Sequence, residues 1–487
     1  MTLTLLGLGP GHIDDLSRRA WAALEQARTI IVRTAQHPCV PLLPHSASIL
    51  ACDDLYERHA DFQDVYAAIV ARVIDHAQRG DVVYAVPGDP LVAEATVQGL
   101  FTAAAAQGIP VTVVSGISFI EPALALVRAD AIDGLQLHDA IAIANAHHPP
   151  LNPDYPALLG QVYSRDVASN LKLTLMNQYP DTFEVLLIHA AGMPDAMTER
   201  VPLHAIDHSP HIRHLTALYV PAYGALGGFE ALQETIAHLR APEGCPWDRE
   251  QTHLTLRKYL LEEAYEVLEA LDAENVDALR EELGDLLLQI VLHAQIAVED
   301  GEFTMRDVIA GLNAKLIRRH PHVWGDVNVG GAADVVTNWE ALKKQEHAEK
   351  GIERRSILDS VPKGLPALAQ AYEYTAKAAK PGFDWAKIDD VAAKAREELA
   401  ELLDAERHAD HDPDHVREEL GDLLFVLVNW SRWLKIDPEI ALREANAKFY
   451  RRFHFIETQA AAQGRALNTM SLAEMDALWN QAKAEGL

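Results

Sequence analysis

Two textures divide the chain. Up to about Tyr223, short runs of apolar and β-branched residues alternate with longer stretches whose apolar positions recur every three or four residues. The runs TLTLLGLG (2–9), TIIV (29–32), DVVYAV (81–86), VTVVSG (111–116), EVLLIHA (184–190) and HLTALYV (214–220) predict strands, because such side chains suit a pleated, half-buried surface. Between several of them lie alanine-rich helical patterns, Leu16–Gln26 and Phe62–Gln78 among them. Strand–helix alternation of this kind predicts an α/β domain with a largely parallel sheet. The stretch from His138 to Pro156, rich in His, Asn and Pro, reads as a loop dividing this half into two lobes.

After Ala225-Leu226-Gly227-Gly228 the strand runs stop, and acidic segments with helical periodicity continue to the end. The expected domains are therefore an α/β domain over 1–223 and an all-α half. A second break at KPGFDW (380–385) divides the latter into modules 229–380 and 381–487.

The helical half repeats itself. Glu281-Glu282-Leu283-Gly284-Asp285-Leu286-Leu287 recurs letter for letter as Glu418-Glu419-Leu420-Gly421-Asp422-Leu423-Leu424. An acidic cluster precedes each copy: Glu262, Glu263 and Glu266 in the first, Glu397, Glu398 and Glu401 in the second. The clusters are offset by 135 residues and the ExxD motifs by 137, as expected of a duplicated module.

On a helix, residues three and four apart share a face. Glu262, Glu263 and Glu266 then point one way, opposite Leu260, Leu261, Ala264, Val267, Leu268 and Leu271. Alone, that helix reads as an amphipathic surface helix with a solvated acidic face. The ExxD helix changes the reading. Around Glu282 and Asp285 run Leu283, Leu286, Leu287, Leu288, Ile290, Val291, Leu292 and Ala294, so the helix is expected to be mostly buried and its acids to need compensation. Two unit charges ~4 Å apart repel by ~4 kcal/mol at an effective dielectric near 20. A cation among the acids removes that cost, and an all-oxygen donor set suits Mg²⁺, with Mn²⁺ as a substitute. The alternative is that each acid pairs with a neighbouring Arg, for which Arg280 and Arg417 are placed. Basic residues at helical spacing, Lys448 with Arg452 and Lys315 with Arg318 and Arg319, are candidate phosphate clamps. Trp247, Trp385 and Trp479 are candidates to stack on a base.

The bulk numbers narrow the class. Of 487 residues, 42 are basic and 71 acidic, giving a net charge of −29, which argues against nucleic-acid binding. No apolar run approaches the ~20 residues of a membrane helix, and MTLTLLGLGPG lacks the basic start of a signal peptide. Cys39, Cys52 and Cys245 follow no metal or redox spacing, and so read as reduced thiols of a cytoplasmic protein.

EExxE followed by ExxD is the signature of the all-α nucleoside triphosphate pyrophosphohydrolases, and the helical half resembles MazG proteins over essentially its whole length. GCPWDREQT (244–252), KLIRRHPHVWGD (315–326), the Trp339–Glu346 segment, SILDSVPKGLPAL (356–368), GFDW (382–385) and EANAKFYRRFHFIE (444–457) carry the likeness beyond the acids. The resemblance implies hydrolysis of a nucleoside triphosphate to monophosphate and pyrophosphate. It maps metal ligands onto Glu263, Glu266, Glu282 and Asp285, and onto Glu398, Glu401, Glu419 and Asp422. Glu262 and Glu397 would position the attacking water, with Lys448 and Arg452 on phosphates. It implies a homodimer as well. One departure stands out: Glu373 and Ala376 occupy positions where relatives carry basic residues.

In the first half, Gly7-Leu8-Gly9-Pro10-Gly11, Pro87-Gly88-Asp89-Pro90 and Ser115-Gly116-Ile117-Ser118 each follow a predicted strand. In this order they resemble the tetrapyrrole (corrin/porphyrin) methylases, a two-lobed α/β fold, over about 1–222. The resemblance implies an S-adenosylmethionine pocket lined by Gly9, Gly11, Gly88, Asp89, Pro90 and Ser118, although Ser115 stands where a proline is usual. Two competing functions follow: a methyltransferase whose helical half is regulatory, and a non-catalytic nucleotide-sensing scaffold.

Overall fold

The computed structural model describes residues 1–44, 46–59, 61–224, 226–349, 356–407 and 412–487. Ala225, named above at the boundary, lies outside them. The chain forms two compact units, Met1–Ala310 and Gly311–Leu487.

The first unit begins with two five-stranded sheets. In the first, β3 (Ser48–Ala51), β2 (Thr29–Val32), β4 (Val82–Val86), β1 (Leu3–Gly7) and β5 (Val111–Val114) lie side by side, all parallel. Helices α1 (Arg18–Gln26), α2 (Asp53–Arg58), α3 (Phe62–Ala77) and α4 (Ala95–Ala106) alternate with these strands. Leu5, Ile31 and Tyr84 pack against Ile69, Val73 and Leu100 on one side of the sheet, while Leu6, Ile30 and Ala85 meet Ala20 and Leu24 on the other. Burial on both faces explains why these strands read as nearly continuous apolar runs.

Then α5 (Ile120–Val127) leads to the second sheet, ordered β6 (Gln136–Asp139), β7 (Ala157–Gly160), β10 (Thr216–Val220), β8 (Glu184–His189) and β9 (Met197–Pro202). Only its β6–β7 pair is parallel. A largely parallel architecture therefore describes the first lobe alone. The division between lobes lies between β5 and β6, not at 138–156, where β6 and α6 (Ala140–Ala144) already belong to the second sheet. The sequence pattern missed β3, β6, β7 and β9. Three are only four residues long, and β9, MTERVP, is a polar edge strand without an apolar run. After α7 (Arg165–Leu175), β8 and β9, β10 completes the sheet.

From Phe229 onward the described residues contain no strand. The first unit continues through α8 (Phe229–Arg240), α9 (Pro246–Glu250), α10 (Arg257–Asp272) and α11 (Val276–Glu299), with Ile236, Leu256, Val291, Leu292 and Ile296 as their core. The unit boundary falls within α12 (Met305–Arg319). The second unit then holds α13 (Pro321–Trp324), α14 (Ala332–Glu349), α15 (Ala367–Ala379), α16 (Ile388–Arg407), α17 (Pro413–Trp433), α18 (Pro438–Ala462) and α19 (Leu472–Ala484). No helix is long and apolar enough to cross a membrane among the described residues.

The expected burial of the ExxD helices is corrected. In α11 the buried residues begin at Gln289, while Leu283 and Leu287 are 49 % and 36 % exposed. In α17, Leu420, Leu424, Phe425 and Leu427 are exposed as well. The reason is geometric: α11 packs against α10 and α8, which cover only part of an all-round apolar helix.

Candidate metal and nucleotide site

Each acid set sits on two packed helices, α10 with α11 and α16 with α17, and local residues set the start of the second helix of each pair. Between α10 and α11, Glu274 takes a left-handed conformation (φ 50°), and Asn275 caps α11 by accepting the Ala278 amide. Ahead of α17, Asp412 caps by accepting the His415 amide, with Pro413 in the first turn, where its missing N–H costs nothing.

The hairpins bring acids from the two motifs together. One carboxylate oxygen from each of Glu263, Glu266 and Glu282 lies within 4.8 Å of the others. The same holds for Glu398, Glu401 and Glu419. Asp285 adjoins the first group, since its charge acts on Glu263. Asp422, one turn beyond Glu419 on α17, stands outside the second trio. Glu262 and Glu397 lie exposed beside their clusters.

The two clusters differ in their counter-charge. In the first, burial, the charges of Asp285 and Glu266 and a hydrogen bond shared with Glu266 push the Glu263 carboxyl up. Glu282 is pushed up by burial and by Glu266, Glu281 and Asp285. In the second, Lys394 donates to Glu397 and contacts Glu398 at 2.8 Å each, and both carboxylates hold its ammonium above the usual range. Glu398 is 5 % exposed, which makes this the better shielded of the two acid sets. His415 lies 3.4 Å from Glu419. By the 135- and 137-residue offsets the first module has Tyr259 and Ala278 at the corresponding positions, neither of them cationic. Sequence reasoning missed Lys394, although its spacing of three and four residues before Glu397 and Glu398 was a readable signal.

Lys394 also lines a cavity of about 550 Å³ with Tyr374, Thr375, Ala378, Phe383, Trp385, Phe425 and Arg432 among the other lining residues. The α15 stretch that lacks the expected basic residues thus contributes Tyr374 and Thr375 to an apolar wall. Asp384 is fixed at the edge. Although burial opposes it, hydrogen bonds from Arg432 (2.5 Å) and from the Trp385 amide and Trp433 indole hold its carboxyl below the usual range.

The other predicted groups fall as follows. Lys448 is exposed on α18. Arg452 donates through Nε to the Leu487 carbonyl at 2.7 Å and lies over the Trp479 ring. Arg318 and Arg319 both engage the buried Glu346, whose carboxyl the Arg319 hydrogen bonds above all bring down to about 2. That pairing commits the first-module arginines to their own chain. Trp247 packs edge-on against Tyr259 and is half exposed, and only Trp385 of the three tryptophans lines the cavity.

In the α/β half, the three loops converge beyond the C-terminal ends of the neighbouring strands β4, β1 and β5. Gly9 and Gly88 exchange backbone hydrogen bonds of 3.1 and 2.8 Å. Asp89 accepts the Gly116 amide at 3.0 Å and the Leu91 amide at 2.8 Å. A Cβ on Gly7 would lie 2.4 Å from the Gly88 carbonyl oxygen, so only glycine permits this approach. Ser118 is buried, accepts the Ile120 amide and donates to Glu121. Pro90 and Gly11 are buried too, Gly11 beneath Met193.

Comparison with known proteins places these features. The family model of the MazG nucleotide pyrophosphohydrolase domain matches residues 251–324 and 388–455, the two segments that carry the acid hairpins. The model of the Tetrapyrrole (Corrin/Porphyrin) Methylases matches 2–207. A protein of Bacillus subtilis (strain 168), called uncharacterized protein YabN, is 43 % identical over 99 % of this chain and 98 % of its own length. The nucleoside triphosphate pyrophosphohydrolase/pyrophosphatase MazG of Thermotoga maritima is 46 % identical over 52 % of this chain and 95 % of its own. Among solved structures, uroporphyrin-III C-methyl transferase from Thermus thermophilus, complexed with S-adenyl homocysteine, is 16 % identical. It covers 45 % of this chain and 92 % of its own, with a TM-score of 0.35.

Proposed function

From the premise that the chain belongs to the MazG nucleotide pyrophosphohydrolase family and carries an N-terminal tetrapyrrole methylase domain, we propose that it hydrolyses nucleoside triphosphates to monophosphate and pyrophosphate, with the second module as the working site. One observation carries the proposal: a trio of convergent carboxylates adjoins, through Lys394, a cavity walled by aromatic residues.

The acids fit a hard divalent cation. They offer oxygen donors only, they converge, and in the first module they push one another's carboxyls up for want of a positive charge. Glu398, Glu401 and Glu419, with Asp422 adjacent, would hold the ion, and so would Glu263, Glu266, Glu282 and Asp285 in the first module. Mg²⁺ or Mn²⁺ there supplies neutralisation of phosphate charge and a water of lowered pKa. The chain's own groups do the rest. Glu397 orients the attacking water, and Lys394, released from Glu397 and Glu398, meets a phosphate oxygen. Trp385, Phe383 and Tyr374 enclose the base and keep bulk water off it. Lys448 stands exposed on α18 as a further phosphate partner. Arg452 joins it only by exchanging the Leu487 carbonyl for phosphate.

In the methylase domain, Gly9, Gly11, Gly88, Asp89, Pro90 and Ser118 form the S-adenosylmethionine pocket in this reading. Its support is the backbone-lined convergence of three loops at strand ends. The apolar exposure of Leu283, Leu287, Leu420 and Leu424 supports a homodimer that covers these faces.

The test is pyrophosphate release from nucleoside triphosphates with Mg²⁺ or Mn²⁺. Combining Glu401→Ala with Asp422→Ala should abolish it, and Glu266→Ala with Asp285→Ala should leave most of it. Undiminished release by the first double variant would move the site to the first module. No release by the native chain with either metal would end the proposal.

A further inference from the structure

Two polar side chains on the wall of the second-module cavity are held in fixed orientations with one atom each left over. Asn429, on α17, accepts at Oδ1 from Arg432 Nε at 3.0 Å and from Arg432 Nη2 at 2.9 Å. A guanidinium only donates, so it turns the amide oxygen toward itself and leaves the Nδ2 amide as the outward end. That Nδ2 has no hydrogen-bond partner among the described residues. Asp384, in the turn ahead of α16, is oriented by the same arginine. Its Oδ1 accepts from Arg432 Nη2 at 2.5 Å, from the Trp385 amide at 2.9 Å and from the Trp433 indole at 3.1 Å. All three donors fall on one oxygen, and Oδ2 accepts no hydrogen bond among the described residues. Because Arg432 Nη2 donates to both side chains, an amide donor and a carboxylate acceptor stand side by side on the wall.

A donor beside an acceptor is what adenine, cytosine, guanine and uracil each present on the Watson–Crick edge: an exocyclic amine or carbonyl next to a ring nitrogen of the opposite kind. The rest of the wall suits a flat base, with Tyr374, Phe383, Trp385 and Phe425 supplying aromatic faces. The triphosphate belongs at the other end, with Lys394, since a second anion beside Asp384 would be repelled. Given a nucleotide base in this cavity, as proposed above, we propose that Asn429 and Asp384 read its Watson–Crick edge. Asn429 Nδ2 donates to the acceptor of that edge, and Asp384 Oδ2 accepts from its donor. Arg432 is the positioning residue, holding both through one guanidinium. One donor and one acceptor fit all four bases in one of two seatings. The pair therefore selects an unsubstituted edge and not a particular base. Substituents at pyrimidine C5 or purine C8 lie off that edge and meet neither group.

The test is steady-state pyrophosphate release by the full chain in Mg²⁺ from UTP, 5-methyl-UTP and 3-methyl-UTP. Each analogue adds one methyl group, but only 3-methyl-UTP replaces the ring N–H that Asp384 Oδ2 accepts. For 5-methyl-UTP, kcat/KM should stay within about threefold of UTP, and for 3-methyl-UTP it should fall about tenfold or more, chiefly through KM. Asp384→Asn keeps an oxygen for the three donors and puts an amine where Oδ2 stands. Its preference for UTP over 3-methyl-UTP should shrink to less than about threefold. Asn429→Asp keeps an oxygen for Arg432 but offers the base a second acceptor, and should raise KM for UTP about tenfold while changing kcat less. The UTP to 3-methyl-UTP ratio is internal to each variant, so a general loss of folded enzyme cancels from it. Equal turnover of UTP and 3-methyl-UTP by the native chain, or a native-sized ratio in Asp384→Asn, overturns the base-edge assignment and leaves the pyrophosphohydrolase reading standing. No release from any of the three triphosphates ends that reading and the assignment with it.

Discussion

Replacing Glu263 by Gln should stabilise the metal-free chain and destabilise the metal-bound one. Glu263 is held near Glu266 and Glu282 with donor oxygens no more than 4.8 Å apart, and the groups that shift it most, beside burial, are the acids Asp285, Glu266 and Glu262. At that spacing a pair of unit charges repels by about 3.5 kcal/mol at an effective dielectric near 20, and by about 1 kcal/mol at that of water. Glu263 is only half-buried, so the water-like value is the guide, and glutamine should gain about 1 kcal/mol. Thermal unfolding in a chelator should place the variant about 1–2 °C higher for a unit that spans Met1–Ala310. Saturating Mg²⁺ should reverse the order. An ion at a hundred times its dissociation constant adds about 2.7 kcal/mol to the native chain, and the variant, one ligand short, should forfeit most of that. The gain in chelator also has a pH signature. An acid whose folded pKa is raised destabilises the fold only where it is ionised, so the advantage of glutamine should be largest near neutrality. It should fade as pH falls through the raised folded value toward the ordinary 4.5. A variant less stable than the native chain in chelator, or a Mg²⁺ shift equal in both, would refute the reasoning.

The matching change in the second module should behave oppositely: Glu398→Gln breaks the 2.8 Å contact with Lys394 and should lower stability even in chelator, read by the same melts. Trp385→Ala removes an aromatic wall of the cavity and should raise KM for nucleoside triphosphate about tenfold while changing kcat less, as measured by steady-state pyrophosphate release. Asp89→Ala strands the Gly116 and Leu91 amides and should cost about 1–3 kcal/mol in unfolding. Calorimetry should find S-adenosylmethionine binding in the native chain and none in this variant.

What was legible in the sequence, and what was not, follows from how far each signal reaches along the chain. The all-buried strands β1, β2 and β4 and the repeated acid hairpins are written in contiguous residues, and the structure has them where the pattern put them. Strands of four residues and the polar edge β9 carry too little pattern to separate from loops. The burial of the ExxD helices was misjudged because an apolar helix declares only that its faces want covering, not what this chain has available to cover them.

The same distinction explains why two motifs identical in seven letters make unequal sites. Duplication copied the acids, but the charge that balances them comes from outside the copied letters. Lys394 sits a turn before the acid pair, where the first module has Tyr259, and His415 a turn before Glu419, where it has Ala278. Arg318 and Arg319, the obvious cations of the first module, are spent on Glu346. Burial and neighbouring acids push Glu263 and Glu282 up in the first cluster and Glu401 up in the second, but in the second Lys394 opposes them, an ammonium that in the proposed reading a metal and a phosphate together would displace. Such an exchange moves one positive charge from carboxylate to phosphate at little electrostatic cost. In the proposed reading it would couple metal entry to substrate entry at the second module, where Lys394 is placed to make the exchange.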